Sequence, residues 1–345
     1  MVVNLLVPGS PESYRIHYHL ENDTLTLRLL QEVLHNLWQQ QFPSQPAPQH
    51  FDFLWERSDR KVLLYVFADE LPTPVFFGKS SDDKSATKRL HQEAAVLTKL
   101  KKLDQYLSKT IPQLLYCSTV RNQTILLEEM IYGDPLSNLI KPHSINTLRR
   151  ESEDHFHWVT EWTIQLHQKT TVEVFQLDTQ RWKEFFVERC RQFNQDWGIK
   201  TDARKWEAIN TWLEKCEGLP LPKVTDHGDL TPHQILVSNN GYNVIDWELS
   251  PFLGLPCHDL INFFVHYNAL MQKKEKFIEG DMKDDDITDL FFYQATNNLF
   301  VEYIKRYLVE MEIHPCFLIP ILYVRYPQIS LNESVCEKIV EILSA

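Results

Sequence analysis

The chain has 345 residues, too many for one simple core, so one large bilobal unit or two domains is expected. Hydrophobic residues make up 43% and aromatic residues 12%, which excludes a disordered chain and calls for a packed interior. The formal net charge of -12 excludes a protein built to coat nucleic acid or an anionic membrane; it is compatible with a cationic substrate, although acidity of this kind usually serves solubility alone.

Residues 1–50 read as an N-terminal appendage packing on the strands that begin at residue 51. Within them, Leu25 to Gln40 carries apolar residues at helical spacing, and the prolines of Phe42 to Pro48 then break the structure. From residue 51 the period changes. Phe51–Trp55 and Val62–Phe67 read as strands joined by a polar turn, Glu56–Lys61, and Pro74–Gly78 reads as a third strand ending at Lys79. A helix over about Ser85 to Lys102 places Leu90, Leu97 and Leu100 on one apolar stripe. Glu93 lies on the same stripe, where a carboxylate is costly unless paired. Two further strands, Gln113–Ser118 and Thr124–Glu129, complete an antiparallel sheet with one helix on it.

After Gly133 the chain becomes mainly helical, with helices expected at 153–169, 180–196, 203–216, 258–272, 287–310 and 331–344. Short strands at Gln234–Ser238 and Asn243–Asp246 flank the turn Asn239–Asn240–Gly241. The charged segment Glu275–Asp289 reads as a surface loop. The tryptophans at 158, 162 and 182 read as core. Six cysteines (117, 190, 216, 257, 316 and 336) share no CxxC spacing and are expected to be reduced and mostly buried. The first residues lack the basic stretch of a signal peptide, and the apolar run Cys316 to Val324 contains a proline and is too short to span a bilayer. A cytoplasmic protein with no membrane insertion is expected by default.

The chemistry concentrates in Thr225 to Leu260. Asp229 precedes a tight polar loop, and Asp246 ends the strand after it. A hairpin returns the chain, so the two carboxylates can converge although seventeen positions separate them. Together with the side-chain amide of Gln234 they form a hard oxygen set suited to Mg²⁺ and phosphate. His227 reads as a buried histidine that orients the loop.

The segment His227–Gly228–Asp229, with Gln234 five residues after the Asp, followed by Ile245–Asp246–Trp247–Glu248, resembles the HGDxxxxN and IDWE motifs of the aminoglycoside phosphotransferase and choline kinase-like family. The resemblance covers about residues 51–265 and implies an α+β, bilobal protein kinase-like fold. It implies a small N-terminal β-rich lobe over 51–129 that binds the nucleotide, and a larger, mainly α-helical C-terminal lobe over 130–345 that holds the acceptor. Asp229 matches the catalytic base; Asp246 and Gln234 match the metal ligands. Lys79 matches the lysine that holds the nucleotide phosphates, and Glu93 its helix partner. Glu129 and Met130 match the hinge that offers backbone groups to adenine. Leu166–His167 matches a recurring helical pair, and Pro256, Asp259 and Leu260 match an element on the substrate side. Asp259 reads either as an acceptor contact or as the N-cap that holds the loop before its helix, and Glu248 either as a second metal or substrate contact or as a structural hydrogen-bonding group. The implied activity is ATP- and Mg²⁺-dependent phosphoryl transfer to the hydroxyl of a small molecule such as a sugar, aminoglycoside or amino alcohol. Two departures stand out: glutamine replaces the family asparagine at 234, and the turn Glu56–Lys61 contains no glycine. In the alternative reading they mark lost catalysis, and the chain is a pseudokinase acting as a nucleotide-binding or partner-binding module. Arg57, Arg60 and Lys61 in that turn read as solvent-exposed rather than phosphate-binding.

Overall fold

The computed structural model describes residues 24–58, 60–69, 71–140, 145–176, 185–188, 203–250, 254–271, 284–292, 297–326 and 329–345. The chain divides into two compact units, one formed by residues 1–133 and 238–249 and the other by 134–237 and 250–345. The segment 238–249, which carries Asp246, therefore groups with the N-terminal strands.

The first unit is built on a five-stranded antiparallel sheet of β1 (Phe51–Ser58), β2 (Lys61–Ala68), β3 (Phe76–Ser81), β4 (Leu114–Val120) and β5 (Gln123–Glu129), in the order β1-β2-β3-β5-β4. Helix α1 (Thr24–Gln41) packs Leu30, Leu34, Leu37 and Trp38 on Phe51, Val66, Phe76, Ile125 and Leu127. Helix α2 (Lys84–Leu103) packs Leu90 and Ala94 on Leu126. Successive side chains of β5 point to opposite faces, so Ile125 and Leu127 meet one helix and Leu126 the other. A strand covered on both faces loses polar alternation, which is why Ile125, Leu126 and Leu127 stand as three apolar residues in a row. Asp83 caps α2 by accepting from the N–H groups of Ser85 and Ala86, both at 3.0 Å. That cap fixes the start of the helix that carries Glu93. A single further turn of helix, α3 (Gln105–Lys109), leads from α2 to β4.

The second unit is mainly helical. Among the described residues its helices include α4 (Leu136–Leu139), α5 (Ile145–Thr170), α6 (Ala203–Lys215), α7 (His258–Met271), α8 (Asp284–Phe292), α9 (Asn297–Glu310), α10 (Leu318–Arg325) and α11 (Glu333–Ser344). Phe156 of α5 anchors an aromatic cluster, with ring centroids 4.9 Å from Phe264, 4.8 Å from Tyr267 and 4.9 Å from Phe300. Trp158 and Trp162 stack at 6.0 Å, whereas Trp182 lies outside the described residues. The one helix expected at 287–310 is two, α8 and α9, and Asp284 to Asp286 open α8 instead of lying in a loop. Of the expected helix 180–196, only 185–188 is described, and it is helical. A short antiparallel pair, Glu173–Gln176 with Pro220–Lys223, is not expected from the sequence.

The expectation of reduced cysteines fails at one pair. Cys216 and Cys316, 100 residues apart, form a disulfide with Cα atoms 6.1 Å apart. The fold brings the end of α6 beside the turn that precedes α10, a proximity that spacing along the chain does not reveal. Cys117, Cys257 and Cys336 carry free thiols, and Cys190 lies outside the described residues. No single helix among the described residues is long and apolar enough to cross a membrane.

Candidate active site

In the first unit, β3 aims Lys79 into the interior opposite α2. Its Nζ lies 2.7 Å from Glu93 Oε1 and 2.5 Å from Asp246 Oδ1. Lys79 and Glu93 are buried, while the Asp246 side chain is 30% exposed, so the cluster opens toward solvent at Asp246. The N–H of Trp247 donates to Glu93 Oε1 at 3.0 Å, which fixes the chain beyond Asp246. Trp247 is fully buried, and its indole N–H donates to Val244 O at 3.1 Å. Asp246 itself has φ 65°, a left-handed conformation unusual for a non-glycine residue and of the kind found at functional sites.

A second cation completes the cluster. Lys61 Nζ hydrogen-bonds Glu248 and stands 3.9 Å from Asp246 Oδ1, with its side chain only 15% exposed. This corrects the expectation of an exposed turn, because β1 and β2 run on to Ser58 and Lys61 and leave a much tighter connection. Carboxylate oxygens of Glu93, Asp246 and Glu248 lie within 4.8 Å of one another. These are the hard oxygen donors that Mg²⁺ takes.

The electrostatics follow from burial and crowding. Burial by itself would lower the Lys79 pKa; Asp246 first, then Glu93, Glu128 and Glu248, outweigh it and hold the ammonium well above the usual lysine range. Burial pushes the Glu93 carboxyl up against the pull of Lys79. The two directions conflict for a salt-bridged pair, and the geometry decides for an ionised Glu93, whose Oε1 accepts from both Lys79 and Trp247. Burial likewise pushes Glu128, on β5, up to about 8, with Lys79 opposing and Glu93 and Asp246 reinforcing the rise. Glu129 closes β5 and is exposed, and its N–H donates to Gln113 O at 2.9 Å; Met130 follows it, half-buried.

In the second unit, His227, Gly228 and Asp229 form a loop held from beneath by Asp259. The Asp259 carboxylate accepts from His227 N–H at 2.5 Å and Gly228 N–H at 2.9 Å. Gly228 has φ 86°, a conformation glycine adopts without strain. Asp259 is fully buried in the first turn of α7 and both its oxygens serve the loop; of its two expected roles, this position fits support of the loop and not the acceptor contact. His227 is also buried, and its Nδ1 accepts from Asp229 N–H at 3.3 Å.

Behind the loop, His258 Nδ1 stands 3.3 Å from Asp226 Oδ2 and 3.7 Å from Asp259 Oδ1. Burial pushes His258 down, but Asp226 and Asp259 together raise it above the usual histidine range. Burial pushes Asp259 up, yet His258 chiefly, with His227 and His167, holds it well below the usual carboxylate range. Gly254 packs on Asp226 so closely that a Cβ there would meet the carboxylate carbon at 2.3 Å. His167 is buried and pushed down to about 4 by that burial. Its Nδ1 is hydrogen-bonded to Tyr307 OH at 2.6 Å, and the same hydroxyl accepts from Cys257 N–H at 2.8 Å, which ties α5 to the start of α7.

Asp229 is half-buried. Asn262 Nδ2 and Arg325 Nη2 both stand 3.5 Å from its Oδ1. Gln234 ends the short 3-10 turn Pro232–Gln234, where its N–H donates to Thr231 O at 3.0 Å.

No family model and no curated protein matches this sequence. Solved structures similar to the chain include an aminoglycoside phosphotransferase from Streptomyces rimosus in complex with ADP and streptomycin, at 13% identity and a TM-score of 0.45, covering 84% of this chain and 91% of that one. A choline kinase from Cryptosporidium parvum is 13% identical with a TM-score of 0.42, covering 91% of this chain and 94% of that one. A glucosamine kinase in complex with glucosamine, ADP and inorganic phosphate is 10% identical with a TM-score of 0.42, covering 91% and 97%.

Of the residues the sequence singles out, Lys79, Glu93, Asp246 and Glu248 share one cluster in the first unit. In the second, Asp259 in the first turn of α7 holds the loop that carries Asp229. The sequence does not reveal Lys61, Glu128, Asn262 and Arg325 as members of these sites. Arg325 did leave a signal, since a lone cation closes the apolar run CFLIPILYVR and a charge there needs a partner.

Proposed function

We propose that this chain transfers a phosphoryl group from ATP, with Mg²⁺, to a hydroxyl of a small molecule such as a sugar, aminoglycoside or amino alcohol. The observation that carries the reading is Lys79 held between Glu93 and Asp246. The sequence motifs select these same three residues without reference to their contacts. Removing an ammonium and a carboxylate from water is costly, and a function at the open end of the cluster accounts for its retention.

In this reading Lys79 holds the nucleotide phosphates and Glu93 sets its position. The chain around Glu129 and Met130 offers backbone groups to the adenine; the Glu129 N–H is already used by Gln113. Asp246 and Gln234 would hold Mg²⁺, which when bound neutralises charge on the phosphates. Asp229 accepts a hydrogen bond from the acceptor hydroxyl, aligns its oxygen for attack on the γ-phosphorus and takes the proton as the new O–P bond forms and the bond from that phosphorus to the bridging oxygen breaks, releasing ADP. Glu248, tied to Lys61, braces the metal side of the site.

The test is thermal denaturation with ATP and Mg²⁺, and with ATP and EDTA. The expected result is a rise in Tm with Mg²⁺ that EDTA removes and that Asp246→Asn abolishes. An identical shift with EDTA would count against the proposal.

A further inference from the structure

The buried guanidinium of Arg325 takes no part in the chemistry proposed for Lys79, Asp229 and Asp246. Its side chain is 0% exposed, at the last residue of the wholly buried helix α10. Arg325 Nε and Nη2 donate to Asn262 Oδ1 at 3.1 and 2.6 Å, and Nη2 is also 3.5 Å from Asp229 Oδ1. Tyr326 OH donates to the same Asn262 oxygen at 3.1 Å. Three donors on one oxygen fix the Asn262 amide, so its Nδ2 must point away from them. That nitrogen donates to Leu230 O at 3.1 Å and approaches Asp229 Oδ1 at 3.5 Å. The amide orientation is thus determined by the network rather than arbitrary.

We propose that Arg325 is a positioning residue for the catalytic carboxylate, a role that rests on the phosphotransfer reading. The guanidinium and the amide it orients both address Oδ1 of Asp229. These two contacts fix the rotation of the carboxylate. A planar, permanently charged fork suits the task, because it can grip Asn262 and still present charge to Asp229. Burial strengthens the pairing, as there is little water around Arg325 to screen it. Arg325 does not touch the reacting atoms. It acts through Asp229 and Asn262.

Two measurements on the full chain test this. The first is the Tm of Arg325→Met, Asp229→Asn and the double variant. Each single change strands one member of a pair in which Arg325 is fully buried and Asp229 half-buried, so the expected double variant loses less than the two single losses added together. Strict additivity would show that the pair is not coupled. The second is steady-state ADP formation from ATP and Mg²⁺ with water as acceptor. Arg325→Met should lower kcat at least 30-fold while KM for ATP stays within threefold. Arg325→Lys, which keeps the charge and is the better tolerated change, should recover at least a third of the lost rate on a logarithmic scale. Native kcat in both variants, or a loss confined to KM, would overturn the role of Arg325 and leave the phosphotransfer reading standing. Coupled melting with no turnover by the native chain would sink phosphotransfer instead, and with it any catalytic meaning of the pair.

Discussion

Lys79 Nζ donates to Glu93 Oε1 at 2.7 Å, with neither side chain more than 3% exposed. A buried pair is much more sensitive to the loss of one member than to the loss of both. Glu93→Ala should therefore destabilise the chain by about 3–5 kcal/mol in urea denaturation, whereas the Lys79→Met, Glu93→Leu double variant should lose clearly less. A double variant worse than either single one would show that other contacts dominate.

Glu128 gives a pH signature. Its carboxyl is pushed from an ordinary 4.5 up to about 8 in the folded chain, so between those values the folded state binds more protons than the unfolded state. Stability from this group is complete below about 4.5 and is lost as pH rises toward 8. Glu128→Gln should remove that loss and raise Tm at pH 8.5 by roughly 3–6 °C relative to the native chain, with little gain at pH 5. Equal shifts at both pH values would contradict it.

Gly254 should tolerate no side chain. A Cβ would sit 2.3 Å from the Asp226 carboxylate carbon, and Asp226 is buried beside His258. Gly254→Ala should cost about 3 kcal/mol in denaturant unfolding, because the neighbour that must move is a buried charge-paired group. A neutral substitution would mean that the loop relaxes freely.

Gln234 bears on the metal. Its stem is one methylene longer than the asparagine of the family motif, and Mg²⁺ demands near-ideal octahedral geometry. Gln234→Asn should keep or increase ADP formation and lower the Mg²⁺ concentration at half-maximal rate. A silent variant of a silent native chain would favour the pseudokinase alternative.

Much of this arrangement is legible in the residues. Glu93 on an apolar stripe required a cation, and Lys79 supplies it. Helix α2 falls within one residue of its expected ends because its apolar period is regular. Helix α10 is not legible because it is buried all round and shows no period, and its Pro320 reads as a breaker although the first turn of a helix tolerates proline. The Glu173–Gln176 and Pro220–Lys223 pair escapes notice because two prolines argue against a strand, yet a short two-stranded ribbon leaves room for them at its edge. Lys61 and Arg325 could not be placed because their partners, Glu248 and Asp229, lie 187 and 96 residues away and are set by tertiary structure alone.

The central claim is that Asp229 accepts the proton of an attacking hydroxyl. The most direct measurement is ADP formation from ATP and Mg²⁺ across a panel of sugars, aminoglycosides and amino alcohols, run with the native chain and with Asp229→Ala. The predicted result is acceptor-stimulated ADP formation by the native chain that falls at least roughly 100-fold in the variant, with the Mg²⁺-dependent rise in Tm on adding ATP retained. Equal ADP formation by the two proteins would contradict it.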